Sequence, residues 1–222
     1  LDISGVLRQI AISAVPILVA ITFHEVAHGF VAYKLGDRTA KALGRLTLNP
    51  IAHIDLFGTI LMPFLLLVFT NGQFVFGYAK PVPINPYNFK DPKRDTAISA
   101  AAGPLTNILL AMVSLLLIKF VLLPAAALLP ESVVLTVLKP LNMMLTSSIV
   151  INVVLASFNL MPIPPLDGGR VLVGILPLRQ AAMLSRIEPY GMFIVIILIA
   201  TGLARYFISP LVSLFLALLR II

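Results

Sequence analysis

His24-Glu25-Val26-Ala27-His28 places two of the chain's three histidines four residues apart. On a helix that spacing puts both imidazoles on one face, one turn apart, where their neutral nitrogens can share a Zn²⁺ ion. Glu25 then stands beside the open coordination position, where a carboxylate can act as base toward a water molecule. From Ile10 to Val31 the surrounding sequence is otherwise apolar or small. A charge at membrane depth costs about 2.5–3.5 kcal/mol, and a bound metal offsets that cost. The chain contains no cysteine, so disulfides and thiolate ligands are excluded and a metal must take imidazole and carboxylate donors.

A second signal runs from Asn159 to Arg170, NLMPIPPLDGGR. Pro162, Pro164 and Pro165 end a helix and force extended backbone. Gly168 and Gly169 free the chain for a tight reversal, which delivers Asp167 on a turn at the membrane edge. Of nine acidic residues, Glu25 and Asp167 are the two set in apolar sequence with a chemical reason to be there. Two histidines and one carboxylate leave a fourth position open for water, the donor set of a hydrolytic zinc site with one ion per chain. A capping or turn aspartate is the alternative use. The pairing with HEVAH in a chain so poor in acids favours the ligand.

The elements that carry these residues must be membrane helices. The 222 residues are 59% hydrophobic and 11% charged, with a mean hydropathy of +1.05. That composition describes an integral membrane protein built of helices and short loops. The net charge of +7 fits cytoplasmic loops obeying the positive-inside rule and implies no nucleic-acid partner. The first apolar run lacks a small-residue cleavage site and reads as a retained helix. Apolar runs predict spans at about 9–33, 96–123, 133–159, 188–204 and 207–222. The expected fold is an all-α polytopic membrane protein with five to six transmembrane helices, forming one domain over 1–222. Its core covers about 8–175, and a C-terminal helical hairpin covers about 188–222.

The stretch at about 54–83 is expected to be re-entrant and partly β. Its apolar run is short, contains Pro63 and ends at Asn71-Gly72, a turn dipeptide. Basic residues flank it on both sides, Lys34, Arg38, Lys41 and Arg45 before and Lys80, Lys90, Lys93 and Arg94 after, which places both flanks in the cytoplasm. Asp167 follows the run 133–159, so an even number of crossings must separate it from the pentad. The runs 96–123 and 133–159 already supply two.

HEVAH in one membrane helix with NLMPIPPLDGGR after a later one resembles the site-two protease family of intramembrane zinc metalloproteases. LGRLTLNPIAHID, GYAKPVPINP and AAGPLTN resemble the compact prokaryotic branch without PDZ or CBS domains. The resemblance spans residues 18 to 175. It implies cleavage of a substrate's transmembrane segment, with His24, His28 and Asp167 holding zinc and Glu25 as catalytic base. It also implies that Asn159 positions substrate or the oxyanion. The location it implies is a prokaryotic cell membrane, and the partners are lipid and a membrane-spanning protein or peptide. The basic flanks, with the pentad in the last third of its helix, put the active site towards the cytoplasm.

A peptide bond inside a helix is shielded, so a substrate must unwind before attack. An exposed strand edge can capture the unwound piece; Phe74 to Pro83 is the candidate, with Phe74, Val75, Phe76, Gly77 and Tyr78 as its binding residues. His53 is a support for the metal site, a proton relay or an interfacial histidine satisfied by local backbone, and the last is favoured. Gly103-Pro104 with Asn107 reads as a close-packing site that supports the metal helix, with a bond from Asn107 across helices as the alternative. Arg170 either orients the aspartate turn or serves the positive-inside rule. The competing function is a divalent-metal transporter or metal-binding membrane protein, which would need polar groups through the full membrane thickness.

Overall fold

A computed structural model describes residues 3–69 and 77–221. Helix α1 (Ile3–Lys34) ends at Gly36, whose φ of +116° suits a residue without a side chain. A short α2 (Thr39–Ala42) follows. A π-helical turn, Leu56–Leu61, leads into α3 (Met62–Phe69). Helix α4 (Pro92–Leu117) starts at an Asp91 cap, whose side chain accepts from Arg94 N–H. It continues through α5 (Leu123–Leu128), so that Pro92–Leu128 is one apolar rod of 37 residues. After α6 (Glu131–Val133), α7 (Lys139–Asn159) completes a second rod from Glu131 to Asn159. Four further helices follow: α8 (Asp167–Ile175), α9 (Leu178–Ser185), α10 (Glu188–Ala200) and α11 (Arg205–Ile221).

Among the described residues, three helices are long and apolar enough to cross a membrane, or four if α9 and α10, bent by 66°, are taken together as one span. The protein is a helical integral membrane protein, and no strand occurs among the described residues. The segments expected at 9–33, 96–123 and 133–159 correspond to those three rods.

Helix α4 is central, packing against α1, α7 and α8. Its faces are sorted in the sense a bilayer demands. Gly103, Asn107, Ala111 and Ser114 are buried, whereas Leu105, Leu109 and Val113 are exposed. Small and polar residues let backbones approach and bond, while large apolar ones face lipid. The α10–α11 hairpin packs back onto the core. Val195 and Ala204 join Met161 and Leu166 of the proline turn, and Leu219 joins Ala111 and Val153.

Tyr78 and Lys80 bond back to the segment that precedes α3. Tyr78 N–H donates to Gly58 O at 3.0 Å and Lys80 N–H to His53 O at 3.0 Å. Residues 77–85 form neither helix nor strand. Phe74, Val75 and Phe76 lie outside the described residues.

Candidate active site

The pentad sits within α1, one helical turn carrying both imidazoles toward α4, as its spacing requires. The proline turn brings Asp167 to the same point. Asp167 is in the first turn of α8, not on a free reversal, and Gly168 and Gly169 continue that helix. They are small because the turn folds tightly over them: a Cβ on Gly168 would lie 2.6 Å from Met161 O.

His24 Nε2 and His28 Nε2 are 3.0 Å apart, and Asp167 Oδ2 lies 3.2 Å from the first and 3.3 Å from the second. All three residues are at most 8% exposed. Hydrogen bonding on the far side of each ring sets the tautomers. Asn107 donates its amide N–H groups to Asn152 Oδ1 (2.8 Å) and Ala20 O (3.3 Å). Its oxygen must therefore face His24, and His24 Nδ1 donates to it at 2.6 Å. His28 Nδ1 donates to Ser99 O at 2.8 Å, and Ser99 Oγ donates back to His28 O at 3.0 Å. Both Nε2 atoms are left as lone-pair donors facing each other and a carboxylate oxygen. Asp167 Oδ2 is buried without a hydrogen-bond donor.

Three acceptors in mutual contact repel unless a cation lies among them. Their separations approach the roughly 3.3 Å edge of a tetrahedron with Zn–ligand distances near 2.0–2.1 Å. His24, His28 and Asp167 form a group that can hold a metal ion. Gly103 makes the approach possible. A Cβ there would lie 2.6 Å from His24 Cε1 and collide with the His28 ring as well.

The cluster opens on a cavity of about 710 Å³ also lined by Glu25, Tyr78, Val82, Asn159 and Arg170. Glu25 Oε2 accepts from Val82 N–H at 2.8 Å. Asn159, the last residue of α7, donates Nδ2 to Leu155 O at 3.0 Å. Arg170 Nη2 bonds Glu188 Oε1 at 3.2 Å, tying α8 to α10. Gly77 is exposed and does not line the cavity, although its neighbour Tyr78 does. His53 stays outside: it is 2% exposed, and its ring meets Thr47 O at 2.8 Å, the local-backbone arrangement. Sequence reasoning missed Asn152, Ser99 and Val82, since none belongs to a metal-ligand or acid–base pattern.

The family model described as Peptidase family M50 matches residues 12–202. The chain belongs to peptidase family M50. Among curated relatives, this M50 chain is 38% identical over 199 residues to YwhC of Bacillus subtilis (strain 168), provisionally named a zinc metalloprotease. That match covers 90% of this chain and 84% of the relative. It is also 28% identical over 191 residues to Rip2 of Mycolicibacterium smegmatis (strain ATCC 700084 / mc(2)155), provisionally named likewise. There the match covers 86% of this chain and 67% of the relative. No solved structure matches. Membership agrees with the resemblance carried by HEVAH and NLMPIPPLDGGR: this M50 protein is an intramembrane zinc metalloprotease, and the transporter alternative is not favoured.

Proposed function

We propose that this M50 chain hydrolyses a peptide bond within or beside a transmembrane segment of a substrate protein, with His24, His28 and Asp167 as zinc ligands and Glu25 as the base. The observation that carries the assignment is the buried triangle of facing lone pairs, 3.0–3.3 Å on its edges. Zinc held there supplies Lewis acidity, polarising a scissile carbonyl and lowering the pKa of water towards about 7. Glu25 accepts the proton of the attacking water and delivers it to the leaving nitrogen. Asn159 is anchored at the cavity edge, where it can orient the substrate backbone or the oxyanion. Arg170 steadies α8, the helix that presents Asp167.

The segment at about 54–83 is re-entrant in this reading, supported by the bonds from Tyr78 N–H to Gly58 O and from Lys80 N–H to His53 O and by the basic residues on both flanks. Five crossings follow: α1, the two rods 92–128 and 131–159, the bent α9–α10 pair, and α11. The last, at 17 residues, is short for the roughly 20 that a perpendicular span needs. The metal end of α1 lies towards the cytoplasm, and the protein domain is the whole of 1–222. The docking edge is assigned to the stretch that includes Gly77 and Tyr78.

Glu25→Gln tests the chemistry, since it removes the proton acceptor and no ligand. Purified protein with a transmembrane peptide should bind stoichiometric zinc yet lose ~10²–10⁴ or more in rate, and chelation should silence the parent. Near-parent cleavage by Glu25→Gln would remove the base assignment, and lost zinc would make Glu25 a ligand.

A further inference from the structure

The strap Lys80–Ile84 lines the cavity beside Glu25, with Pro81, Val82 and Ile84 on its wall. Pro81 and Pro83 have no N–H, so Val82 carries the single amide hydrogen in that tripeptide, and it is the one aimed at Glu25 Oε2. The strap is held from several directions. Arg45 Nη2 donates to Lys80 O at 3.0 Å and Pro81 O at 3.4 Å, Lys80 N–H reaches His53 O, and Asn85 N–H donates to Asp37 Oδ2 at 2.8 Å. The Val82 side chain, 6% exposed, fills a notch on α1 at Gly29. Gly29 is one helical turn beyond Glu25 and on the same face. A Cβ at Gly29 would lie 2.7 Å from Val82 Cγ1, with Ala40 and Leu46 closing the other sides at 3.4 Å.

We propose that this strap positions the base: the Val82 N–H holds one oxygen of Glu25, and the Gly29 notch sets the height at which it does so. The proposal rests on Glu25 being the base. A glutamate side chain turns about several bonds, and the reaction needs one orientation facing the zinc-side water. With Oε2 held by a fixed donor, Oε1 is the oxygen left for the water proton. Val82 and Gly29 thus act through Glu25, as positioning residues.

Gly29→Ala in the full chain should lower kcat about 10- to 100-fold, the scale of a misplacement near 1 Å, with zinc stoichiometry and KM for a transmembrane peptide unchanged. The double variant G29A/V82A keeps the N–H and removes the methyl groups in the way, so it should recover most of the lost rate. An ester at position 82, made by placing the α-hydroxy acid of valine there, deletes the N–H alone and should lower kcat by a similar factor. Parent-like kcat in zinc-loaded Gly29→Ala or in the ester would overturn the proposal, as would a folded double variant no faster than the single. If Gly29→Ala fails to fold, the ester decides. Glu25→Gln measured alongside separates the two ideas. An active Glu25→Gln removes the base reading, whereas an inactive one beside an active ester removes the strap alone.

Discussion

Replacing Asn107 with leucine removes the oxygen that accepts from His24 Nδ1 and leaves a buried N–H unpaired. The ring is then free to turn or to take the other tautomer, which puts a proton where the metal lone pair is needed. Losses of this kind weaken metal binding about 10- to 100-fold. Chelator competition with Asn107→Leu should read a zinc Kd raised by that factor, and an unchanged Kd would mean that α1 alone orients His24. Asn152→Leu, one bond further out, should do less, because Asn107 keeps its bond to Ala20 O. The uncharged chain continues into the bundle: Asn152 Nδ2 donates to Ser148 O at 2.9 Å, and the Ser148 and Ser114 hydroxyls meet at 2.9 Å. Buried polar groups joined in this way specify how α1, α4 and α7 align.

At the scale of elements, the loop after α1 and the strap are held together by one carboxylate. Asp37 is fully buried. Burial alone would raise its pKa, but bonds from Asn88 Nδ2, Thr39 Oγ1 and the N–H groups of Asn85 and Thr39 outweigh that and hold it below the usual carboxylate range. The sign follows: this stabilisation is complete above the unfolded carboxylate pKa of about 3.9 and is lost as pH falls through the lower folded value. Asp37→Asn removes the charge that strengthens those bonds, each worth about 1.5–3 kcal/mol when charge-assisted. It should lower the Tm by several degrees at pH 7 and by much less near pH 2. An equal drop at both pH values would mean that the carboxylate acts through shape alone.

Around α4 the layering is the inverse of a soluble protein's, with Gly103, Asn107 and Ser114 buried between helices and Leu105, Leu109 and Val113 outside. The two basic loops meet at one end, where Arg45 bonds the strap and Asp37 bonds Asn88 at 2.7 Å. Single cysteines at Lys41 and Lys90 should therefore be labelled from the same, cytoplasmic side of sealed vesicles, with no background because the chain has none. Labelling from opposite sides would turn the Leu56–Phe69 segment into a crossing and undo the re-entrant reading.

Spacing and composition by themselves determined the membrane class and the three long spans, and they picked out His24, His28 and Asp167, which the fold brings into one group that could hold a metal ion, with Glu25 on the same cavity. Such features are local: four residues make a helical turn, prolines end a helix, and isolated charges in apolar sequence need a partner. Tertiary structure decided what lies across a gap from them. Asn107 was legible as a polar residue in a close-packed helix, yet its oxygen could be turned toward His24 only after Asn152, 45 residues away, was known to take its amide. Asp167 looked like a residue on a reversal, because the sequence does not reveal that the proline turn closes over Gly168 and Gly169 and lets α8 start there. Val82 carried no chemical signature at all. A backbone N–H is the same in every residue but proline, and only the path of the chain determines which one meets Glu25.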